Sequence, residues 1–308
     1  MSTLHRTLAL TTPDDPAGAA PSIDGLGGEY DPDLYRAHGE AAVIPGGLGE
    51  VPPDTWQTTY RERGFVAVGA LLTPGEVEAA HAGIDHLISD GVPGFRGIQW
   101  EAGSRSRLAE ADLAERRDLV RKLMYYVDHE PRLDAVAHHP TLLATVAEIL
   151  GDEPALFADQ ALLKPPGGGR EKPWHQDNAY FDLVPGAPVV GVWIALDDTG
   201  VDNGCMHVVP GSHRQGPVVH FNRRDFQICD TDVIRDEVVS VPLPAGGALL
   251  FDGLLHHGTP ANLSTRRRWA LQFHYAPAAA IWQSSEERLR YKQERLAVFG
   301  ADGKDVTC

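Results

Sequence analysis

A chain of 308 residues, 43% hydrophobic and 23% charged, has an ordinary globular composition and is long enough for one large domain or two modest ones. Its formal net charge of −16 argues against a nucleic-acid partner, which needs a basic patch to neutralise phosphates. Three scattered cysteines, Cys205, Cys229 and Cys308, exclude a disulfide framework and a zinc site of the CxxC kind. No apolar run approaches the ~18 residues of a membrane span and no charged-then-apolar leader opens the chain, so a soluble, cytoplasmic protein without a membrane partner is expected.

Residues 11–54 are rich in Pro, Gly, Ala and Asp with little hydrophobic periodicity. They predict an extended or partly disordered arm over 1–54, draped on one folded domain over 55–308. Residues 64–72 read as a strand leading into a helix. That helix opens with Thr73-Pro74-Gly75-Glu76, a capping box with Pro at the first helical position. It buries Val77, Ala80, Ile84 and Leu87 and stops near Gly91. The pattern predicts a second helix over 107–127 and a third over 140–150, ended by Gly151.

From residue 155 the pattern changes. Short runs rich in Val, Leu, Phe and Trp, at 155–164, 189–196, 206–209, 238–241, 248–251 and 269–275, alternate with Gly/Pro turns. They predict a β-sandwich or barrel, and the helices-first order makes the class α+β, mainly β, with helices on one face. A terminal helix is expected over 284–299.

The first chemical signal is Trp174-His175-Gln176-Asp177. In an extended segment residues two apart share a side, so His175 and Asp177 can face one ion. HxD alone is commonplace; a third ligand, at His256 or His257 in Leu254-Leu255-His256-His257-Gly258-Thr259, makes it informative. Two His and one carboxylate form the facial triad of non-haem iron(II) oxygenases. Three protein ligands on one side leave two positions for a keto acid and one for O2. The far carboxylate of that keto acid needs a buried cation, and Arg266-Arg267-Arg268 begins the next strand. Thr259 can add a hydroxyl to the same carboxylate. The loop 165–173, with three consecutive glycines, lacks P-loop order and is a candidate lid. His207 and His213 read as structural, His274 as core, and His138 and His139 as exposed. Trp174, Gln176, Tyr180, Phe181 and Trp193 are expected near the metal.

These pieces together resemble the phytanoyl-CoA dioxygenase family. The matching segments are Arg63-Gly-Phe-Val-Ala-Val with Leu72-Thr-Pro-Gly-Glu-Val77, Lys164-Pro-Pro-Gly, Trp174-His-Gln-Asp177 and Val192-Trp-Ile-Ala-Leu196. Asp202-Asn-Gly-Cys-Met, Pro210-Gly-Ser-His213 and His257-Gly-Thr-Pro-Ala-Asn262 follow, with Arg268 after them. The resemblance spans about residues 58–276. It implies a double-stranded β-helix (a jelly-roll, cupin-like barrel), with Fe(II), 2-oxoglutarate and O2 as cofactor and cosubstrates. It selects His257 over His256 and, eleven residues on, Arg268 over its two neighbours. It assigns 2-oxoglutarate contacts to Gln176 and Trp193. Related iron halogenases carry Gly or Ala where this chain has Asp177, so the resemblance implies hydroxylation rather than halogenation, and the lack of an Arg/Lys cluster in the arm suited to a CoA phosphate favours a small-molecule substrate. Desaturation or cyclisation, and a barrel that binds a ligand without catalysis, are the alternatives.

Overall fold

A computed structural model describes residues 28–89, 91–101, 103–104, 106–300 and 308; the first half of the expected arm, 1–27, lies outside them. In chain order come β1 (Val43–Ile44), α1 (Pro53–Arg63), β2 (Phe65–Val68), α2 (Pro74–Ile88) and β3 (Ile98–Trp100). Then follow α3 (Leu113–Leu119), β4 (Val120–Met124), α4 (Pro131–Ala137), α5 (Pro140–Leu150) and β5 (Pro154–Lys164). The remainder is strand-rich: β6 (Lys172–His175), β7 (Val190–Ala195), β8 (Met206–Val208), β9 (His220–Asn222) and β10 (Phe226–Ile228). It ends with β11 (Val239–Val241), β12 (Ala248–Asp252), β13 (His257–Thr259), β14 (Arg268–Pro277) and α6 (Ser285–Phe299).

The strands make a major sheet in the order β1-β2-β12-β7-β14-β5-β4-β3 and a minor sheet in the order β11-β8-β13-β6, with β9 and β10 as a separate ribbon. Period-two alternation gives the major sheet two unlike faces. On β14, Trp269, Leu271, Phe273 and Tyr275 join Val77, Ile84 and Leu87 of α2 and Leu142 and Val146 of α5 in a core on the helix side. The other face of the sheet gives Trp193, Ala195, Leu249, Phe251 and Ala270 to a second core shared with Met206, Val208 and Val241 of the minor sheet. Two sheets closed on each other with helices outside one of them are the double-stranded β-helix that the sequence predicts.

Local chemistry explains the helix ends. Thr73 Oγ1 accepts from the Glu76 backbone N–H at 3.4 Å while the Glu76 carboxylate accepts from the Thr73 N–H at 2.8 Å, a closed capping box. Gly151 ends α5 in the left-handed region (φ 67°), a conformation that L side chains rarely adopt.

One expectation about the fold differs from the structure. The helix expected over 107–127 is only α3, seven residues long, after which the chain becomes β4. Its Glu- and Arg-rich sequence favours helix, but β4 gains a ladder with β5 and buries Val120 and Leu123 completely. The buried Asp159 carboxylate then accepts from the backbone N–H groups of Tyr125, Tyr126 and Val127, fixing how the chain leaves the strand. The described part of the expected arm, 28–54, lies against the domain: β1 pairs in parallel with β2, and Leu34, Tyr35, Ala41 and Leu48 are buried.

Candidate active site

The antiparallel pairing of β6 with β13 makes His175 and His257 direct cross-strand partners, with ring centroids 4.1 Å apart. Asp177 follows β6 in a 3-10 turn. Nδ1 of His175 lies 2.8 Å from the Pro173 carbonyl and Nδ1 of His257 lies 2.9 Å from the Leu255 carbonyl. A carbonyl only accepts, so each Nδ1 carries the proton and each Nε2 presents its lone pair inward. The two Nε2 atoms lie 3.3 and 3.5 Å from Asp177 Oδ1. One ligand atom from each residue falls within 4.8 Å of the others, and all three residues are buried.

Electrostatics hold this set ready for a cation. Burial first, then His257 and Lys172, push the His175 imidazolium down to about 3, leaving the ring neutral at physiological pH. Burial alone would raise Asp177; His257, His274 and His175 outweigh it and keep the carboxylate well below its usual range. A neutral His175 imidazole and an ionised Asp177 carboxylate are protonation states that metal binding requires.

His274, expected to be inert core, is buried but not inert. Its Nε2 lies 2.7 Å from Asp177 Oδ2, and Gln272 Nε2 donates to the same oxygen at 3.1 Å. One Asp177 oxygen is therefore held from β14 while the other faces the two ligand histidines. Tyr180 meets His175 edge-on at 5.4 Å, and Phe181 lies 4.6 Å from the His274 ring, both near the triad as expected.

Arg268 sits at the start of β14 on the same inner face, 1% exposed. Its Nη1 donates to the Leu162 carbonyl at 3.1 Å, its Nε has no hydrogen-bond partner, and its guanidinium lies 5.5 Å from the centre of the Trp193 ring. Burial pulls the group down to about 10, so it remains charged, and no carboxylate bonds it among the described residues. Trp193 Nε1 is likewise buried without a partner. A buried fork with open N–H groups is costly unless an anion completes it, so these residues fit the far carboxylate of a keto acid. Thr259, two residues beyond His257, is buried in the same strand. The other two arginines of the run are surface groups, Arg266 paired with Asp202 at 3.0 Å and Arg267 with Asp118 at 2.7 Å.

Some expected neighbours lie elsewhere. Gln176 points away between His175 and Asp177, and Gly216, Leu254 and Val218 saturate its amide, so it has no free group for a cosubstrate. Trp174 also faces outward, stacking on Tyr35 at 5.4 Å and donating to the Leu34 carbonyl. His207 lies under Tyr35, and His256 contributes no atom to the ligand group. His138 and His139 are half-buried rather than exposed, beside Asp134 and Glu76 respectively.

Sequence reasoning passed over three groups. Lys164, the cross-strand partner of Arg268, is buried and donates to the Thr259 and Pro260 carbonyls; burial and then Arg268 pull it well below its ordinary value. Lys172 bonds Asp225 at 2.7 Å and Tyr180 at 2.9 Å, bracing the wall beside His175. The side chains of Arg121 and Lys122 of β4 make no hydrogen bond or ion pair among the described residues, and burial, then Lys172, push Lys122 down to about 7. Lys164 was visible only as part of a motif; the rest had no signal short of the strand register.

A jelly-roll barrel with a two-histidine, one-carboxylate site at one end of its inner face has the architecture of a non-haem iron oxygenase. The phytanoyl-CoA dioxygenase family model matches residues 60–270, more than half of the chain, and the chain belongs to that family. Phytanoyl-CoA dioxygenase domain-containing protein 1 of Danio rerio is 30% identical over 174 residues, 54% of this chain and 60% of that protein. The chain thus spans little more than half the length of such curated relatives. Among solved structures, the non-haem α-ketoglutarate-dependent carbocyclase SnoK from nogalamycin biosynthesis superposes with a TM-score of 0.60 at 23% identity, over 79% of this chain and 93% of that one. The epimerase SnoN, solved with Fe3+, α-ketoglutarate and nogalamycin RO, superposes with a TM-score of 0.60 at 22% identity, over 75% and 86%. At that identity the likeness speaks for the fold. Among the described residues no helix is long and apolar enough to cross a membrane.

Proposed function

We propose that the chain is an iron(II)- and 2-oxoglutarate-dependent dioxygenase that hydroxylates an unactivated C–H bond of a small metabolite. The observation that carries this reading is a three-ligand metal group sharing one inner face with a buried, unpaired arginine. His175, Asp177 and His257 would hold the iron; Arg268 and Thr259 would hold the far carboxylate of 2-oxoglutarate, with Trp193 against the guanidinium. Iron with 2-oxoglutarate and O2 supplies the oxidising power for C–H cleavage, with succinate and CO2 as co-products.

The chain's own residues do the rest. The cross-strand pairing of His175 with His257 confines the protein ligands to one side of the metal. His274 and Gln272 hold Oδ2 of Asp177, so the carboxylate offers one oxygen inward. Tyr180 and Phe181 wall the site with aromatic surface and limit water. A hydrolase using the same three ligands has no use for a buried carboxylate clamp, which is why Arg268 favours the oxygenase. Retention of Asp177 speaks for hydroxylation rather than halogenation. Desaturation and ring closure draw on the same oxidant, so product analysis separates them from hydroxylation.

The test is succinate release with iron(II), 2-oxoglutarate, O2 and a panel of candidate metabolites, against Asp177→Ala as the blank. Succinate no higher than the blank across the panel sinks the oxygenase reading and leaves a ligand-binding barrel. The three free cysteines suit a reducing compartment, and we place the protein in the cytoplasm; recovery from an extracellular or membrane fraction would reverse that.

A further inference from the structure

The pairing of β3 with β4 is irregular: Gln99 opposes Lys122 and Trp100 opposes Val120, so Arg121 is an extra residue in the ladder. Val120 and Leu123 on either side are both fully buried in the helix-side core. Arg121 and Lys122 therefore both fall to the inner side, where regular alternation would have sent one of them out. Bulges that re-aim a side chain recur beside binding sites.

The bulge delivers Arg121 to the wall of a cavity of about 240 Å³, between the glycine loop 167–169 and the turn that follows β13. Two other arginines line that cavity and both are engaged. Arg224 is held by Glu171 at 2.7 Å and by Asp230 at 2.7 and 2.8 Å, and Arg170 by Glu101 at 3.2 Å. Arg121 is half-buried with no hydrogen-bond or ion-pair partner among the described residues. Burial, and then Arg170, pull its guanidinium below its ordinary range, and Glu101 and Asp225 offset this only in part. Lys122, the next residue on the same side, is under the influence of Asp225 and Asp177, which relates this corner to the metal ligands. Gly169 is obligatory at the opposite wall, because a Cβ there would strike Lys164.

We propose that Arg121 binds an anionic group of the substrate, a carboxylate or a phosphoryl group, so that the enzyme acts on an acid rather than a neutral metabolite. A planar fork without a protein partner, facing a confined cavity, matches either anion bidentately. The inference rests on the oxygenase reading for its location but not for its measurement.

Benzoate, benzamide and inorganic phosphate are titrated by ligand-observed NMR into the full chain, with 2-oxoglutarate and Mn(II) present to occupy the Arg268 clamp. Wild type is expected to bind benzoate or phosphate and to ignore benzamide. Arg121→Gln is expected to weaken the anion at least tenfold, and Arg121→Lys to restore part of the loss. Preference for benzoate over phosphate identifies a carboxylate substrate, and the reverse a phosphorylated one. Equal anion affinity in wild type and Arg121→Gln, or no anion binding by wild type, overturns the proposal. Failure of 2-oxoglutarate itself to bind either protein counts against the oxygenase reading instead, and the Arg121 comparison can still be read.

Discussion

β14 holds two proteins' worth of instruction in ten residues. On its helix side Trp269, Leu271, Phe273 and Tyr275 fill a dry core; on its inner side Arg268, Gln272 and His274 are polar, buried and aimed at chemistry. Both faces are almost fully excluded from water, yet one is satisfied by packing and the other waits on groups from outside the chain. Burial therefore marks function here only where it strands a donor or a charge. The inner face is costly to fold, and the helix-side core must offset it.

If that division is real, substitutions on the two faces separate cleanly. The largest effect is expected from Asp177→Ala, which should reduce succinate formation to background and lower the unfolding midpoint, because Gln272 and His274 lose their shared acceptor, while the far-UV spectrum stays near wild type. Phe273→Ala, one strand position from His274 but on the other face, should cost about 3–5 kcal/mol of stability in urea unfolding. Its iron affinity per folded molecule should stay unchanged; a matching loss of iron affinity would mean that the faces are coupled.

Arg268→Ala is expected to cost about 2–5 kcal/mol of 2-oxoglutarate binding, read by calorimetry with a redox-silent metal, because it removes one partner of a buried ion pair. In the empty protein the same change should be neutral or stabilising. Next comes His274→Ala, which should weaken the metal site roughly 10- to 100-fold through the loosened Asp177, with His274→Gln recovering part. A metal titration that does not move removes His274 from any role beyond packing.

The smallest effect lies in the helix layer. Burial opposes the Glu130 carboxylate, but Arg132 and His86 outweigh it and hold the group at about 2. Because the folded value lies below the ordinary 4.5, the stabilisation is present above pH 4.5 and is lost as pH falls toward 2. Glu130→Gln should cost about 1 kcal/mol at neutral pH and flatten that part of the acid-unfolding curve. Site affinity for metal at pH 7 should not notice.

What could be read in the sequence was whatever a short segment states by itself. The capping box at Thr73, the Gly151 stop, the HxD of β6 and the order of later motifs are local patterns, and the structure has each of them in place. The rest needed partners far along the chain. His274 meets Asp177 across 97 residues and could not be told from a core histidine. Gln176 and Trp174 sit beside ligands in sequence, and strand alternation turns both away. Residues 120–124 carry helix-favouring neighbours and become a strand because β5 waits beside them. The bulge that turns Arg121 inward is a property of a ladder, invisible in either strand alone.

The two oxygens of Asp177 also constrain what this scaffold can become. Exchanging Asp177 for glycine or alanine, the change that opens a halide position in related halogenases, would remove the oxygen that Gln272 and His274 both bond and leave the two groups only each other, 3.0 Å apart. A buried group that loses its partner costs about 1–3 kcal/mol. The carboxylate is thus held in place by its neighbours on β14. A route to halogenation from this chain would have to replace Asp177, in the turn after β6, and re-partner Gln272 and His274 on β14, so a single substitution does not suffice.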